Sequence, residues 1–339
     1  MSTEPLTCLV TGSTGYVGGR LIPRLLSAGH RVRAMARNPD DLASTPWVDD
    51  VEVVGADLAD PESLVAACAG VDVVFYLVHS MGTSSDFEAE EAKSADNAVS
   101  AARAAGVRRI VYLGGLHPSG ERLSEHLKSR STVGDTLLES GIETVALQAG
   151  VVIGAGSASF EMIRHLVQAL RVLPVPRWSR HLVQPIAVDD VLHYLVEAAS
   201  AAVPESRTWD VGGPNVLRYE DVLREFADVA GLPARRIVTI PLLPPALVGR
   251  GIAILTPMPA GLVGPLVESL KSDSVMSDRD VDTIIPPPAG GLTTYRDAVA
   301  RALEQPQSVS TDVESTEPSS AVVLPTDPDW ARARTARSA

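Results

Sequence analysis

The chain has 339 residues and a formal net charge of −13, from 29 Lys and Arg against 42 Asp and Glu. At about 100–200 residues per domain, that length makes one large or two modest domains. An acidic chain without a basic stripe excludes nucleic-acid binding, which needs clustered Lys and Arg for phosphate contacts, and the two cysteines, Cys8 and Cys68, supply neither a disulfide framework nor a metal quartet.

The first 150 residues alternate between two periods. Apolar runs of strand length are Thr7–Val10, Val32–Ala36, Val51–Val54, Val73–Val78, Ile110–Leu113 and Thr144–Leu147. They are rich in Val and Ile and mostly continuous, as strands buried on both faces of a parallel sheet are. Between them the spacing predicts helices. The first has Val17, Leu21, Ile22, Leu25 and Leu26 on one face, and the second has Leu64, Ala67 and Cys68. An Ala-rich helix runs from Phe87 to Ala105, and another from Leu127 to Leu138. Gly29, Gly106 and Gly141 each stand at a helix end, directly before the next strand. Pro23 falls inside the first helix and predicts a bend, eased by Gly19 four residues back. Strand and helix in alternation mean βαβ units, and so an α/β fold with a doubly wound parallel sheet of the Rossmann kind.

After residue 150 the alternation loosens. Helices are expected at Ser159–Leu173, Val188–Ala199, Tyr219–Ala230 and Tyr295–Leu303, with short strands at Arg207–Val211 and Ile237–Ile240. The chain thus divides into a nucleotide-binding domain over 1–150, whose sheet can also take strands from 180–215, a smaller substrate-binding region over 151–304, and a tail over 305–339. The tail is rich in Ser, Thr and Pro and is expected to be mostly disordered, with Leu324 and Trp330 as local docking points. From Gly251 to Val267 no residue is charged. A membrane span needs about 20 apolar residues in a helix, and Pro257, Pro259 and Pro265 each remove a backbone donor. A buried or pocket-covering segment is expected there, with peripheral membrane contact as the alternative. The N-terminus lacks a basic region ahead of its short apolar run, which reads as a cytoplasmic protein.

Thr11-Gly12-Ser13-Thr14-Gly15-Tyr16-Val17-Gly18 follows the first strand and opens the first helix. Gly12 allows a tight turn, Gly15 lets backbone approach a pyrophosphate, and Gly18 lets helix and sheet pack closely. Free N–H groups at the helix start then meet the phosphates. The end of the second strand selects the cofactor. An NAD site has an acid there for the ribose 2′-hydroxyl, and an NADP site offers Arg to the 2′-phosphate. This chain places Arg33 and Arg37 there and no acid before Asp40, so NADP (as NADPH) is expected over NAD. Asp57 and Leu58, after the third strand, are expected beside the adenine. Val78, His79 and Ser80 end the fourth strand, where such sheets form their ligand crevice, and Met81 follows as an apolar wall.

These blocks resemble the short-chain dehydrogenase/reductase superfamily in its extended, atypical branch. So do Asp96-Asn97, Gly106-Val107-Arg108-Arg109-Ile110-Val111-Tyr112-Leu113 and Pro185-Ile186-Ala187-Val188-Asp189-Asp190-Val191. The chain is most similar to the NmrA-like NAD(P)H-binding proteins and to relatives of the nucleotide-binding accessory subunit of mitochondrial complex I. The resemblance implies a Rossmann fold with a small C-terminal substrate region. It also implies catalysis by Ser, Tyr and Lys, from which this chain departs: the Tyr position falls on His126, the Lys position on Arg130, and the Ser position on Gly114-Gly115. His126 and Arg130 share a helix face, so a His proton donor and an Arg ribose ligand are the expected substitutes. Gln148 and Gly150 look like the family's Arg-Pro-Gly segment, and Phe160, Glu161 and Gln184 are expected at the substrate edge. Two functions follow as expectations. One is an NADP-dependent oxidoreductase acting on a small, fairly apolar carbonyl or quinone-like substrate. The alternative is a non-catalytic NAD(P)H-binding regulatory or assembly module. A sugar-nucleotide epimerase is the weaker third, since that chemistry relies on the missing Tyr and Lys.

Overall fold

The Val- and Ile-rich runs pair side by side in a computed structural model that describes residues 4–78, 87–117, 125–240, 244–304 and 323–332. The N-terminal half runs β1 (Thr7–Val10), α1 (Tyr16–Ser27), β2 (Arg31–Ala36), β3 (Glu52–Gly55), α2 (Pro61–Cys68), β4 (Val73–Tyr76), α3 (Phe87–Ala105), β5 (Arg109–Gly115), α4 (Glu125–Leu138) and β6 (Glu143–Ala149). It continues with β7 (Val152–Ile153), α5 (Ala158–Ala169), β8 (Val172–Pro176), β9 (Leu182–Val183), β10 (Ile186–Ala187), α6 (Val188–Ala198), β11 (Arg207–Val211), β12 (Leu217–Arg218), α7 (Tyr219–Val229) and β13 (Arg236–Ile240). Helices α8 (Pro245–Leu255), α9 (Ala260–Ser269), α10 (Tyr295–Leu303) and a short α11 (Asp329–Arg332) follow.

Seven strands form one parallel sheet in the order β11-β6-β5-β4-β1-β2-β3. Strand order reverses between β1 and β4, and doubly wound sheets open their ligand crevice at that point. The two faces bury different residues of the same strands. Cys8 and Val10 face α1 and α6, while Leu9 faces α2, α3 and α4. Apolar side chains on both faces explain why the strand runs are continuous rather than alternating. Gly29, Gly106 and Gly141 adopt positive φ at the helix ends.

In the second half one expected helix is cut short. The helix expected over Ser159–Leu173 ends at Ala169, Leu170 is extended, and Val172–Pro176 is a strand paired with β13. Pro174 and Pro176 lack the amide that a helix would need, and β-branched Val172 and Val175 favour the strand. The uncharged 251–267 stretch is divided between α8 and α9, and no helix among the described residues is long and apolar enough to cross a membrane.

Helix α1 runs through Pro23. Pro23 has no N–H to give the Gly19 carbonyl, and the Trp47 indole supplies the missing donor at 3.1 Å. Trp47 is buried, so its loss strands that carbonyl. Trp47→Phe is expected to cost about 1–3 kcal/mol. Adding Pro23→Ala restores a backbone donor and should recover part of the loss. A urea-unfolding double-mutant cycle checks this, and strictly additive losses would contradict it.

From the tail, the described residues 323–332 pack on the body. Leu324 and Asp327 are buried, and Trp330 joins the apolar cluster of α8 and α9. Asp327 meets Arg20 of α1 with both oxygens, at 2.8 and 2.7 Å. Arg20 also donates to the carbonyls of Tyr16 and Ala155 and lies 4.0 Å over the Tyr16 ring.

Candidate functional site: the glycine turn and the strand ends

The turn between β1 and α1 is fixed from below. Thr11 is buried; its hydroxyl donates to the Phe75 carbonyl at 3.0 Å and accepts from the Leu77 amide at 3.1 Å, tying the turn to β4. The Ser13 hydroxyl, fully buried, donates back to the Val10 carbonyl. Gly12 has φ of 71°, and the Gly15 amide bonds its carbonyl at 2.8 Å. A Cβ on Gly18 would lie 2.2 Å from that same carbonyl oxygen, so only glycine fits. No side chain caps α1 at Gly15, and its first turn holds no acid. Unclaimed N–H groups and the positive end of the helix dipole make such a terminus a phosphate cradle. Thr14 and Gly15 lie at its outer edge, and Val17 packs on the core. The Tyr16 side chain turns inward under Arg20, and burial pushes its phenol pKa up, so its backbone alone is left for a phosphate.

The two arginines expected at a 2′-phosphate separate. Arg33 sits mid-strand, donates to the Ala67 and Ala69 carbonyls at 2.7 and 2.8 Å, and ion-pairs with Glu52. It holds α2 and β3 in place and is corrected to a structural role. Arg37 stands exposed just past the end of β2, with no ion-pair or hydrogen-bond partner among the described residues. Asp57 closes a local turn by accepting from the Ala59 amide. Leu58 is buried in the core, with its carbonyl taken by Asn97, and so offers no face to a ring. Val78 lies beside Gly12, 3.4 Å from where a Cβ would be. His79, Ser80 and Met81 lie outside the described residues.

Helix α4 and the ends of β5 and β6 bound a small polar hollow lined by Gly114, Gly115, His117, Arg130, Asp135 and Gln148. Arg130 reaches back to donate to the Leu113 carbonyl at 3.1 Å, and its own carbonyl accepts from the Tyr112 hydroxyl. Gln148 Nε2 lies 3.1 Å from His117 Nε2. Burial and the nearby Glu139 push the Asp135 carboxyl up, against the opposing field of His117. His126 belongs to α4, but its side chain lies outside the described residues. Sequence reasoning missed His117, which stands two residues past β5, next to the Gly114-Gly115 pair that takes the Ser position. Counting outward from the strand end, rather than along the helix, would have found it.

Three residues expected at the substrate edge are buried instead. Phe160 is a core side chain, its ring 5.7 Å from that of Phe226. Glu161 is fully buried, accepts from the Gly156 amide at 3.0 Å and pairs with Arg164. Gln184 donates to the Gly213 carbonyl and accepts from the Met276 amide, pinning the segment before the 280–283 turn. Gly150 is where the Gln184 backbone crosses: a Cβ would lie 2.0 Å from its carbonyl oxygen.

Comparison with known proteins agrees with this geometry. Residues 12–157 match the NAD(P)H-binding family. An uncharacterized protein of Mycobacterium tuberculosis is 27% identical over 226 residues, which cover 66% of this chain but only 23% of that protein. A 3 beta-hydroxysteroid dehydrogenase/Delta 5-->4-isomerase of the same species is 28% identical over 240 residues, covering 60% of this chain and 63% of that one. Among solved structures, an NADPH-dependent quinone oxidoreductase of Escherichia coli, complexed with NADPH, superposes with a TM-score of 0.69 at 20% identity, over 88% of this chain and 100% of that one. The fold is thus a shared one across chains of differing chemistry. Residues 12–157 of this chain therefore match the NAD(P)H-binding family on a fold of the Rossmann kind.

Proposed function

We propose that the chain is an NADP-dependent oxidoreductase acting on a small, fairly apolar carbonyl or quinone-like acceptor. The observation that carries it is the uncapped start of α1 behind Gly12–Gly18, a turn so tight that a Cβ at Gly18 would strike the Gly12 carbonyl. Arg37, exposed past the end of β2 and unpaired among the described residues, supports the choice of NADP, because a second phosphate needs a cation there. When bound, the nicotinamide supplies the hydride. The chain's own residues bind and orient it. The turn amides hold the pyrophosphate and Arg37 the 2′-phosphate. Arg130, steadied by the Leu113 carbonyl, holds ribose hydroxyls. His117 stands at the strand ends beside Gln148 and is the group that holds a proton for the acceptor, with His126 as the other candidate on α4. The names of similar folds support a reductase: besides the quinone oxidoreductase, a Citrobacter sp. triphenylmethane reductase complexed with NADP(H) has a TM-score of 0.68 at 20% identity.

Thermal unfolding with NADPH, NADP, NADH and NAD tests the reading. A nucleotide at 100 times its dissociation constant adds about 2.7 kcal/mol. NADPH should stabilise most, and Arg37→Glu should weaken NADPH at least about tenfold while sparing NADH, a difference of about 1.4 kcal/mol. No shift with any of the four overturns it. A second reading, a nucleotide-binding module without turnover, is favoured by the loss of Tyr, Lys and Ser at His126, Arg130 and Gly114-Gly115. It predicts tight NADPH but no oxidation of it by a quinone and carbonyl panel. The enzyme reading predicts turnover that falls about 10²- to 10⁴-fold in His117→Ala.

A further inference from the structure

Helices α8 and α9, between which the uncharged 251–267 stretch is divided, roof an apolar cavity of about 250 Å³ that shares no residue with the glycine turn or the strand-end hollow. Its walls are Leu166 of α5, Leu173 and Val175 of β8, Leu223 of α7, Ile252 of α8 and Val267 of α9. Among the described lining residues there is no Asp, Glu, Lys, Arg or His. Three lining residues carry polar groups: Trp178 and Ser179, in the tight turn Arg177–Arg180, and Tyr219, the first residue of α7. Turn and helix are joined by the Tyr219 amide, which bonds the His181 carbonyl. The Trp178 indole N–H, the Ser179 hydroxyl and the Tyr219 hydroxyl are all buried and have no hydrogen-bond partner among the described residues. Native interiors leave few such groups unpaired, because each carries an uncompensated desolvation cost. Three such groups on residues that line one cavity point to a ligand with a hydrogen-bonding atom.

The chemistry of that ligand is set by the walls. An anion or cation has no counter-charge here, and burial pushes the Tyr219 phenol pKa far up, so it stays a neutral donor. A cavity of about 150 Å³ with apolar walls takes up benzene, and this one is larger. Ile240, Leu247 and Leu255 line it while remaining more than a third exposed, which gives it an apolar mouth. α5 gives the cavity its wall at Leu166, and α9 in its roof packs on α4, the helix that borders the strand-end hollow.

We propose that this cavity binds a neutral, lipophilic ring compound bearing one hydrogen-bonding oxygen, held by Trp178, Ser179 and Tyr219. That the compound is also the one reduced rests on the oxidoreductase reading; that it binds does not.

Equilibrium dialysis of the full chain against 2-naphthol, naphthalene and 2-naphthoate tests it. One site per chain for 2-naphthol is expected, with affinity at least tenfold above naphthalene and no binding of the naphthoate anion. Leu166→Trp fills the cavity and should abolish 2-naphthol binding while the NADPH-induced thermal shift persists. If that variant does not fold, Leu255→Trp at the mouth serves the same purpose. Tyr219→Phe should reduce the preference for 2-naphthol over naphthalene several-fold. Failure of both neutral compounds to bind, equal binding of the anion, or 2-naphthol binding unchanged in the filled variants overturns the proposal. Loss of the NADPH shift in the unaltered protein would overturn the dinucleotide reading and leave the 2-naphthol result standing, so the two failures are distinct.

Discussion

Asp327→Ala is expected to destabilise the protein by about 3–5 kcal/mol, a drop in Tm on the order of 10 °C. The reason is what it leaves behind. Arg20 is 2% exposed and its guanidinium cannot shed its proton, so removing the carboxylate strands a full charge in the interior. The carbonyls of Tyr16 and Ala155 and the Tyr16 ring remain as dipolar partners, and the field of Asp189 replaces neither oxygen of the lost pair. Asp327 also accepts the Leu324 amide, so the turn that docks the segment loosens as well. Removing the pair together should hurt less: Arg20→Met with Asp327→Leu is expected within about 2 kcal/mol of the unaltered chain, because neither charge is then buried alone. Urea-unfolding midpoints of the two variants decide it. A loss below about 1 kcal/mol in Asp327→Ala would mean that the segment is not held by this pair.

Gly18→Ala is expected to weaken NADPH at least about 100-fold, or about 2.7 kcal/mol, while the protein still folds. The added Cβ would lie 2.2 Å from the Gly12 carbonyl oxygen and 2.9 Å from its carbon, both backbone atoms of the turn itself. No side-chain rotation relieves that contact. The turn has to move away from α1, which takes the Gly12–Gly15 bond and the aim of the helix amides with it. Overpacking of this kind costs about 1–3 kcal/mol of stability. Gly290→Ala is the control, since nothing lies within 4 Å of its added carbon, and NADPH affinity should not change there. Equal affinity in Gly18→Ala would remove the phosphate cradle from that turn.

The sheet was legible because its strands are buried on both faces. Thr7–Val10 reads as a continuous apolar run, Arg207–Val211 as a short strand, and Phe87–Ala105 as a helix to the residue. The glycine turn was legible because its three glycines are local. What failed was the reading of side chains near the crevice. Phe160, Glu161 and Gln184 are expected at the edge by their place in the chain after the sixth strand, but Gln184 is satisfied by Gly213 and Met276, far along the chain. Arg33 failed for the same reason, its partners Ala67 and Ala69 being brought near only by α2. β8 was hidden because Leu170 and Leu173 continue the apolar period of α5, while the helix stops at Ala169 and the chain turns extended. Trp47, closing the gap that Pro23 leaves in α1, has no local sign at all.

Arg20 and Asp327 are 307 positions apart, close to the two extremes of the chain. At about 5–20 residues per second, a ribosome reaches Asp327 roughly 15–60 s after Arg20. Throughout that interval the first helix and its glycine turn exist without the carboxylate that neutralises their buried cation. The nucleotide-binding half therefore matures last at its own start, and chains interrupted before residue 327 are expected to be the ones that proteases clear.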